Sequence, residues 1–305
     1  LTRIRDLLGP LDPVRDEPVV PPPPLPDRPA FERVRLPVVN RMALAGATAV
    51  AVVIGLLLWQ AAGPTAPRGT AATPDPLVIT APALPTPAGQ RLLALAELAR
   101  ASGVPRPQGS TEYVELRAWY LNSQVSGGTT VSEVVPQASR TWLFPDGSGR
   151  LEQDSAGTET WSSGGRAFAF PLNRPPTTAA AMAHFLHRPN PPDDIGPIKT
   201  VVALNDLLRE RVLTPAERAA ALDLLAQLPG ITYQGHTTDR VGRPAEAFSL
   251  DSAYGGLPAR YTLLVAPDSG LFLGNEETLT TSAGALNVAV PAVIEYESYV
   301  RADFR

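Results

Sequence analysis

The chain contains no cysteine. That one absence removes disulfides, cysteine nucleophiles, thiolate metal sites and a lipidated N-terminal cysteine, so the fold must be held by packing and polar contacts. Lysine is almost missing, with Lys199 the single example among 26 basic residues. There are three histidines. His184 and His187 are three apart on an expected helix, but no third ligand of metal type stands at a recognisable spacing, and His236 has no nucleophile in a known setting to join. G-x-S-x-G, H-E-x-x-H, a phosphate loop and a dinucleotide fingerprint are all lacking. No catalytic residue, metal site or cofactor is therefore expected, and the chain is not read as an enzyme. The carboxylate pairs Asp193-Asp194 and Glu276-Glu277 are expected to be solvated surface. Positive charge is scarce after residue 63, where 19 cations face 24 acids, and an acidic segment without basic patches is a poor nucleic-acid binder.

What is abundant is proline, with 34 residues, and one uncharged run. Met42 to Gly63, MALAGATAVAVVIGLLLWQAAG, has only Thr48 and Gln60 as polar interruptions. At about 1.5 Å per residue it reaches roughly 33 Å as a helix, the thickness of a hydrocarbon core. It is read as a transmembrane helix. Arg28, Arg33, Arg35 and Arg41 precede it closely, whereas the first cation after it is Arg68, so the positive-inside rule places the N-terminus in the cytoplasm and the rest outside. The expected location is the cell membrane, single-pass. Ala43, Ala47, Ala51 and Gly55 recur every four residues and form a stripe of small side chains, a candidate helix-helix contact.

Four parts follow from these boundaries: a proline-rich cytoplasmic tail over 1–41, the span over 42–63, a disordered Pro/Thr/Ala-rich stalk over 64–85, and an extracytoplasmic domain over 86–305. In the last part the hydrophobic period alternates between 3.6 and 2. A helix is expected from Thr86 to about Ser102, then strands at Glu112 to Tyr120, Arg140 to Phe144, Arg150 to Gln153, Glu159 to Trp161 and Arg166 to Phe170. Helices follow at Thr178 to His187, Ile198 to Arg211 and from Thr214-Pro215-Ala216-Glu217, a capping box, to Leu228. A second meander runs from Ile231 to Val300. The expected fold class is α+β: a single transmembrane helix followed by a curved antiparallel sheet with helices on one face. Trp119, Trp142, Phe144, Trp161, Phe168 and Phe170 cluster on the first meander and are a candidate apolar groove for an acyl chain or a partner segment, against the plainer reading of sheet core.

The order LLRERVLTPAERAAALDLLAQLPGI, TDRVGRP, LLVAPDSGLFLGNE and a closing strand at Tyr299 to Arg305 resembles an actinobacterial family of single-pass membrane proteins of unknown function, commonly encoded beside extracytoplasmic-function sigma factors. More loosely, the outer domain resembles the lipoprotein-carrier fold of Lol-type carriers and periplasmic sigma regulators. The resemblance implies a membrane-anchored envelope sensor or regulatory accessory, with a protein partner on the cytoplasmic side and a lipid or lipoprotein on the outer side. The alternative is a tethered lipid or lipoprotein carrier. The tail has neither His nor Cys, so a zinc-type anti-sigma signature is absent.

Overall fold

A computed structural model of the chain describes residues 70–102, 109–126, 129–187 and 193–305. Among these, the order is α1 (Ala88–Ala101), β1 (Glu112–Ser126), β2 (Thr129–Leu143), β3 (Gly149–Gln153), β4 (Gly157–Trp161), α2 (Ala179–Leu186), α3 (Ile198–Glu210), α4 (Pro215–Ala226), β5 (Thr232–Thr238), β6 (Pro244–Ser252), β7 (Ala259–Val265), β8 (Phe272–Leu279) and β9 (Ala292–Phe304). The strands form one nine-stranded sheet in the order β4-β3-β2-β1-β9-β8-β7-β6-β5. Every neighbouring pair is antiparallel. The two meanders are thus one sheet, because the last strand returns to pair with the first, Glu112 opposite Phe304 and Trp119 opposite Tyr296.

Alternation assigns the two faces. Tyr261, Leu263 and Val265 of β7, with Phe248 and Leu250 of β6, join Leu92 and Leu95 of α1, Leu204 and Leu207 of α3 and Leu222 and Leu225 of α4 in one core. The helices therefore share this face of the sheet. α1 and α4 approach closely: a Cβ on Gly89 would lie 2.8 Å from the Ala226 carbonyl oxygen, so only glycine fits there. The start of α4 is fixed locally. Thr214 accepts from the Glu217 N–H, the Glu217 carboxylate accepts from the Thr214 N–H at 2.8 Å, and proline occupies the first turn. Thr214→Ala is expected to lower stability by about 1 kcal/mol, read as a shift of the urea midpoint at unchanged slope.

The opposite, outer face carries a smaller apolar patch, Ala245, Ala247, Leu264, Ala266 and Leu273, covered by Leu77 and Ile79. Residues 70–81, expected to belong to a disordered stalk, are a strap across this patch. Thr80 exchanges backbone hydrogen bonds with His236, Ala71 N–H donates to the Asn287 carbonyl, and Arg240 Nη2 donates to the Asp75 carbonyl at 2.7 Å. The physical reason is the LVI run at Leu77-Val78-Ile79: two of its side chains find hydrocarbon to pack on, which a proline-rich spacer does not need.

The membrane expectations are corrected. The predicted span over 42–63, its stripe of Ala43, Ala47, Ala51 and Gly55, and the 1–41 tail lie outside the described residues. Among the described residues no helix is long and apolar enough to cross a membrane. The longest, α1, has 14 residues, about 21 Å of rise against roughly 30 Å of hydrocarbon. The fold class becomes an α+β domain of four helices and a nine-stranded sheet among the described residues, without the transmembrane helix. The single-pass location with cytoplasmic and extracytoplasmic ends, and the integral-membrane arrangement of partners, rested on that helix and are set aside with it.

Candidate functional site

The site is built on the outer face of β1 to β4. Leu116 and Ala118 of β1 face the helices, so Glu115 and Arg117 face outward. Register then aligns charges across four strands and ends at a hydroxyl on the fifth. Arg301 of β9 lies opposite Glu115 of β1, Glu115 opposite Arg140 of β2, Arg140 opposite Glu152 of β3, and Glu152 opposite Thr158 of β4. Alternating signs in such a row are the favourable cross-strand arrangement. Arg140 Nη1 stands 3.5 Å from Glu152 Oε2, and Arg150 also bonds Glu152. Glu115 Oε2 accepts from the Tyr113 hydroxyl at 3.0 Å. Burial first, and then that carboxylate, push the Tyr113 hydroxyl above its ordinary pKa.

Beside the row is a trough of about 480 Å³, lined by Glu115, Arg117, Ala138, Arg140, Glu152, Asp154 and polar neighbours; Ala138 supplies its only hydrocarbon side chain. Arg117 lies opposite Ala138 in register, and the Asp154 backbone N–H donates to the Ala138 carbonyl at 3.1 Å. Two exposed charges of opposite sign thus flank Ala138. Neither makes an ion pair with another described residue. The chemistry open to this surface is polar recognition by two exposed, oppositely charged groups.

The six rings of the expected groove are distributed elsewhere. Trp119 stacks at a tilt on Tyr296, centroids 5.5 Å apart, with the Arg240 guanidinium 5.4 Å from its ring. Trp142 packs on Tyr113 at 5.1 Å under Arg150. Phe144 is 40% exposed in the turn after β2. Trp161 is buried across Gly149, where any Cβ would collide with its indole, and its Nε1 donates to the Gly147 carbonyl at 3.1 Å. Phe168 meets Trp161 edge-on at 6.1 Å. Phe170 stacks on Phe185 at 5.6 Å inside the core. The structure brings Trp161 and Phe168 together and places the other four apart. Among the described residues no group of three or more His, Asp or Glu side chains could hold a metal ion.

Sequence reasoning missed Glu115, Arg117, Arg140, Glu152 and Asp154. The available signal was the charge on the wet positions of the β1 alternation; what could not be read was the register that lines those positions up.

Fold and site define an α+β domain with one antiparallel sheet, helices on one face and an open charged trough on the other. No family model and no curated protein matches the chain. Among solved structures, a DUF1329 family protein from Desulfovibrio piger aligns at 9% identity over 72% of this chain and 94% of its own, with a TM-score of 0.21, too low to argue from. None of these comparisons supports the expected family. Neither membership of an actinobacterial family linked to sigma factors nor a lipoprotein-carrier likeness is retained, and the envelope-sensor and tethered-carrier roles drawn from them go too.

Proposed function

We propose that the domain is a non-catalytic recognition module whose outer trough holds a short polypeptide segment bearing one acidic and one basic side chain. The observation that carries this reading is the pair of exposed charges, Arg117 and Asp154, on either side of Ala138. A carboxylate on the ligand answers Arg117, and an ammonium or guanidinium answers Asp154, as charge-assisted hydrogen bonds. The lining is mainly polar, with Ala138 its one hydrocarbon side chain, so an acyl chain gains less here than a polar ligand. It also holds no histidine, and its hydroxyls, on Ser139 and Thr158, have no base of that type to activate them.

Calorimetric titration of the full chain with the tripeptide Glu-Ala-Arg and its reverse, Arg-Ala-Glu, tests this. At least one is expected to bind saturably, and Gln-Ala-Gln is not. Arg117→Ala and Asp154→Asn are each expected to weaken binding about tenfold, the worth of one such bond. Absence of saturable binding by both charged peptides, or unchanged affinity in both variants, rules the reading out.

A further inference from the structure

Under α3, on the helix-facing side of the sheet, a second transverse row is polar where a core is normally hydrocarbon. Tyr261 of β7 lies opposite Glu277 of β8, Glu277 opposite Glu295 of β9, and Glu295 opposite Tyr120 of β1. One step along the strands stand Asn275 and Glu297, also directly opposite each other, with Tyr299 beyond. α3 closes the layer with Asn205, Asp206 and Arg209. Arg209 is the only cation facing this layer among the described residues. Its Nε donates to Glu297 at 2.6 Å, Nη1 to Asp206 at 2.8 Å and Nη2 to Glu295 at 2.8 Å. Glu297 also accepts from Tyr120 at 2.6 Å and Asn275 at 2.9 Å. Glu277 receives none of the Arg209 N–H groups.

Three carboxyl groups therefore share one guanidinium, and the fourth, Glu277, lies outside its reach. Two acids placed directly opposite on adjacent strands repel when both are ionised. The layer also has an unmet acceptor: the buried Asn205 side-chain oxygen finds no hydrogen-bond partner. A protonated carboxyl removes a negative charge and adds a donor, the two things this layer lacks. Side-chain exposure of 17% at Glu295 connects the row to solvent, so protons can exchange without unfolding.

We propose that Glu277 and Glu295 form a proton-operated latch: protonated, they seat α3 on the sheet, and when both are ionised α3 loosens from β8 and β9. The groups facing the pair are Tyr261 from β7, Asn275 from β8, Glu297 and Tyr299 from β9, Tyr120 from β1, and Asn205, Asp206 and Arg209 from α3. Burial pushes Glu277 up to about 7. Glu295 rises to about 8, through burial foremost and the neighbouring Glu297 and Glu277 carboxylates, against the pull of Arg209. The change therefore falls across neutral pH. The latch is independent of the outer trough and stands or falls without it.

The test is amide hydrogen exchange of the full chain at pH of about 5 and about 9, corrected for intrinsic chemical exchange. Protection of the α3 amides, relative to those of α4, is expected to fall at least about tenfold at the higher pH, a tenfold change corresponding to one pKa unit of linkage. In Glu277→Gln/Glu295→Gln, which keeps shape without charge, α3 should stay protected at both pH values. Infrared difference spectra provide the second readout: the wild type should lose protonated-carboxyl absorbance between the two pH values, and the variant should lose less. Equal α3 protection across pH in the wild type, or an unchanged loss of protection in the double variant, overturns the latch.

Discussion

Replacing Glu112 by alanine is expected to lower the unfolding free energy by about 3–5 kcal/mol, the cost of leaving a buried charge without its partner. Glu112 opens β1 and is 7% exposed; Arg211, at the end of α3, is 3% exposed. Arg211 donates to Glu112 from Nε at 3.1 Å and from Nη2 at 2.8 Å, and the next backbone N–H, of Val212, donates to the same carboxylate at 2.7 Å. Arg174 bridges this group to the start of α4, giving Nη1 to Glu112 at 2.7 Å and Nε to Glu217 at 2.9 Å. One carboxylate thus ties the first strand, the α3–α4 connection and the segment before α2. Arg211 also donates to the Pro171 and Asn173 carbonyls, so removing Glu112 strands a guanidinium that is fixed in place. Glu112→Gln keeps the shape and one acceptor, and about half the loss is expected. Urea unfolding of the full chain checks both. A domain of this kind has about 5–15 kcal/mol in total, so the alanine variant should unfold at markedly lower urea. A loss under about 1 kcal/mol would show the network to be dispensable.

The parts of this fold that were legible in the sequence are those decided by neighbours in the chain. The α4 capping box at Thr214 to Glu217 needs only four residues, and they form it. The turn at Pro145 to Gly149 is equally local, with Gly147 at a φ of 80°. β2 begins at Thr129, well before the strand expected from Arg140, and runs through Pro136. The structure supplies the reason it is tolerated: β3 pairs only with Ser139 to Leu143, so Pro136 lies where β2 has no neighbour on that side and its missing N–H costs no ladder bond. The expected strand at Arg166 to Phe170 does not form. Its side chains are used for packing instead, the Arg166 guanidinium 4.6 Å from the Trp161 ring and Phe170 in the core.

Neither surface that carries the proposals was legible, and the cause is the same in both. Glu276 and Glu277 read as solvated neighbours, yet they are 4% and 5% exposed on opposite faces of β8. Glu276 is held by Arg240 and by the Leu77 N–H of the strap, while Glu277 lies under α3. Those covers come from residues far away in the chain, and only the tertiary pairing reveals them. The charges of the outer face likewise look like an ordinary wet face until the β9–β1–β2–β3 register sets Arg301, Glu115, Arg140 and Glu152 in a line.

The pH dependence of stability is the second large effect expected, and its sign is opposite to the usual behaviour of carboxylates. A carboxyl whose pKa is higher folded than unfolded contributes stability that is complete below the unfolded value and disappears as pH rises through the folded one. For Glu277 these limits are 4.5 and about 7, and for Glu295 they are 4.5 and about 8. The domain should therefore lose stability between about pH 5 and about pH 9, by about 3 kcal/mol from Glu277 alone. Asp251, lowered by the hydrogen bond from Arg260, works in the other direction, but only as pH falls below the ordinary carboxylate range. Urea midpoints across this range should decline for the wild type and run nearly level for Glu277→Gln/Glu295→Gln. The two profiles should cross, because the glutamines forgo the protonated form that is favoured in acid yet avoid the repulsion that grows in base. Near pH 9 the double variant should be the more stable protein, an unusual result for replacing two buried, partly ion-paired groups. Parallel profiles would mean that Glu277 and Glu295 ionise alike in the folded and unfolded chains, and that the layer under α3 is held by Arg209 and Glu297 alone.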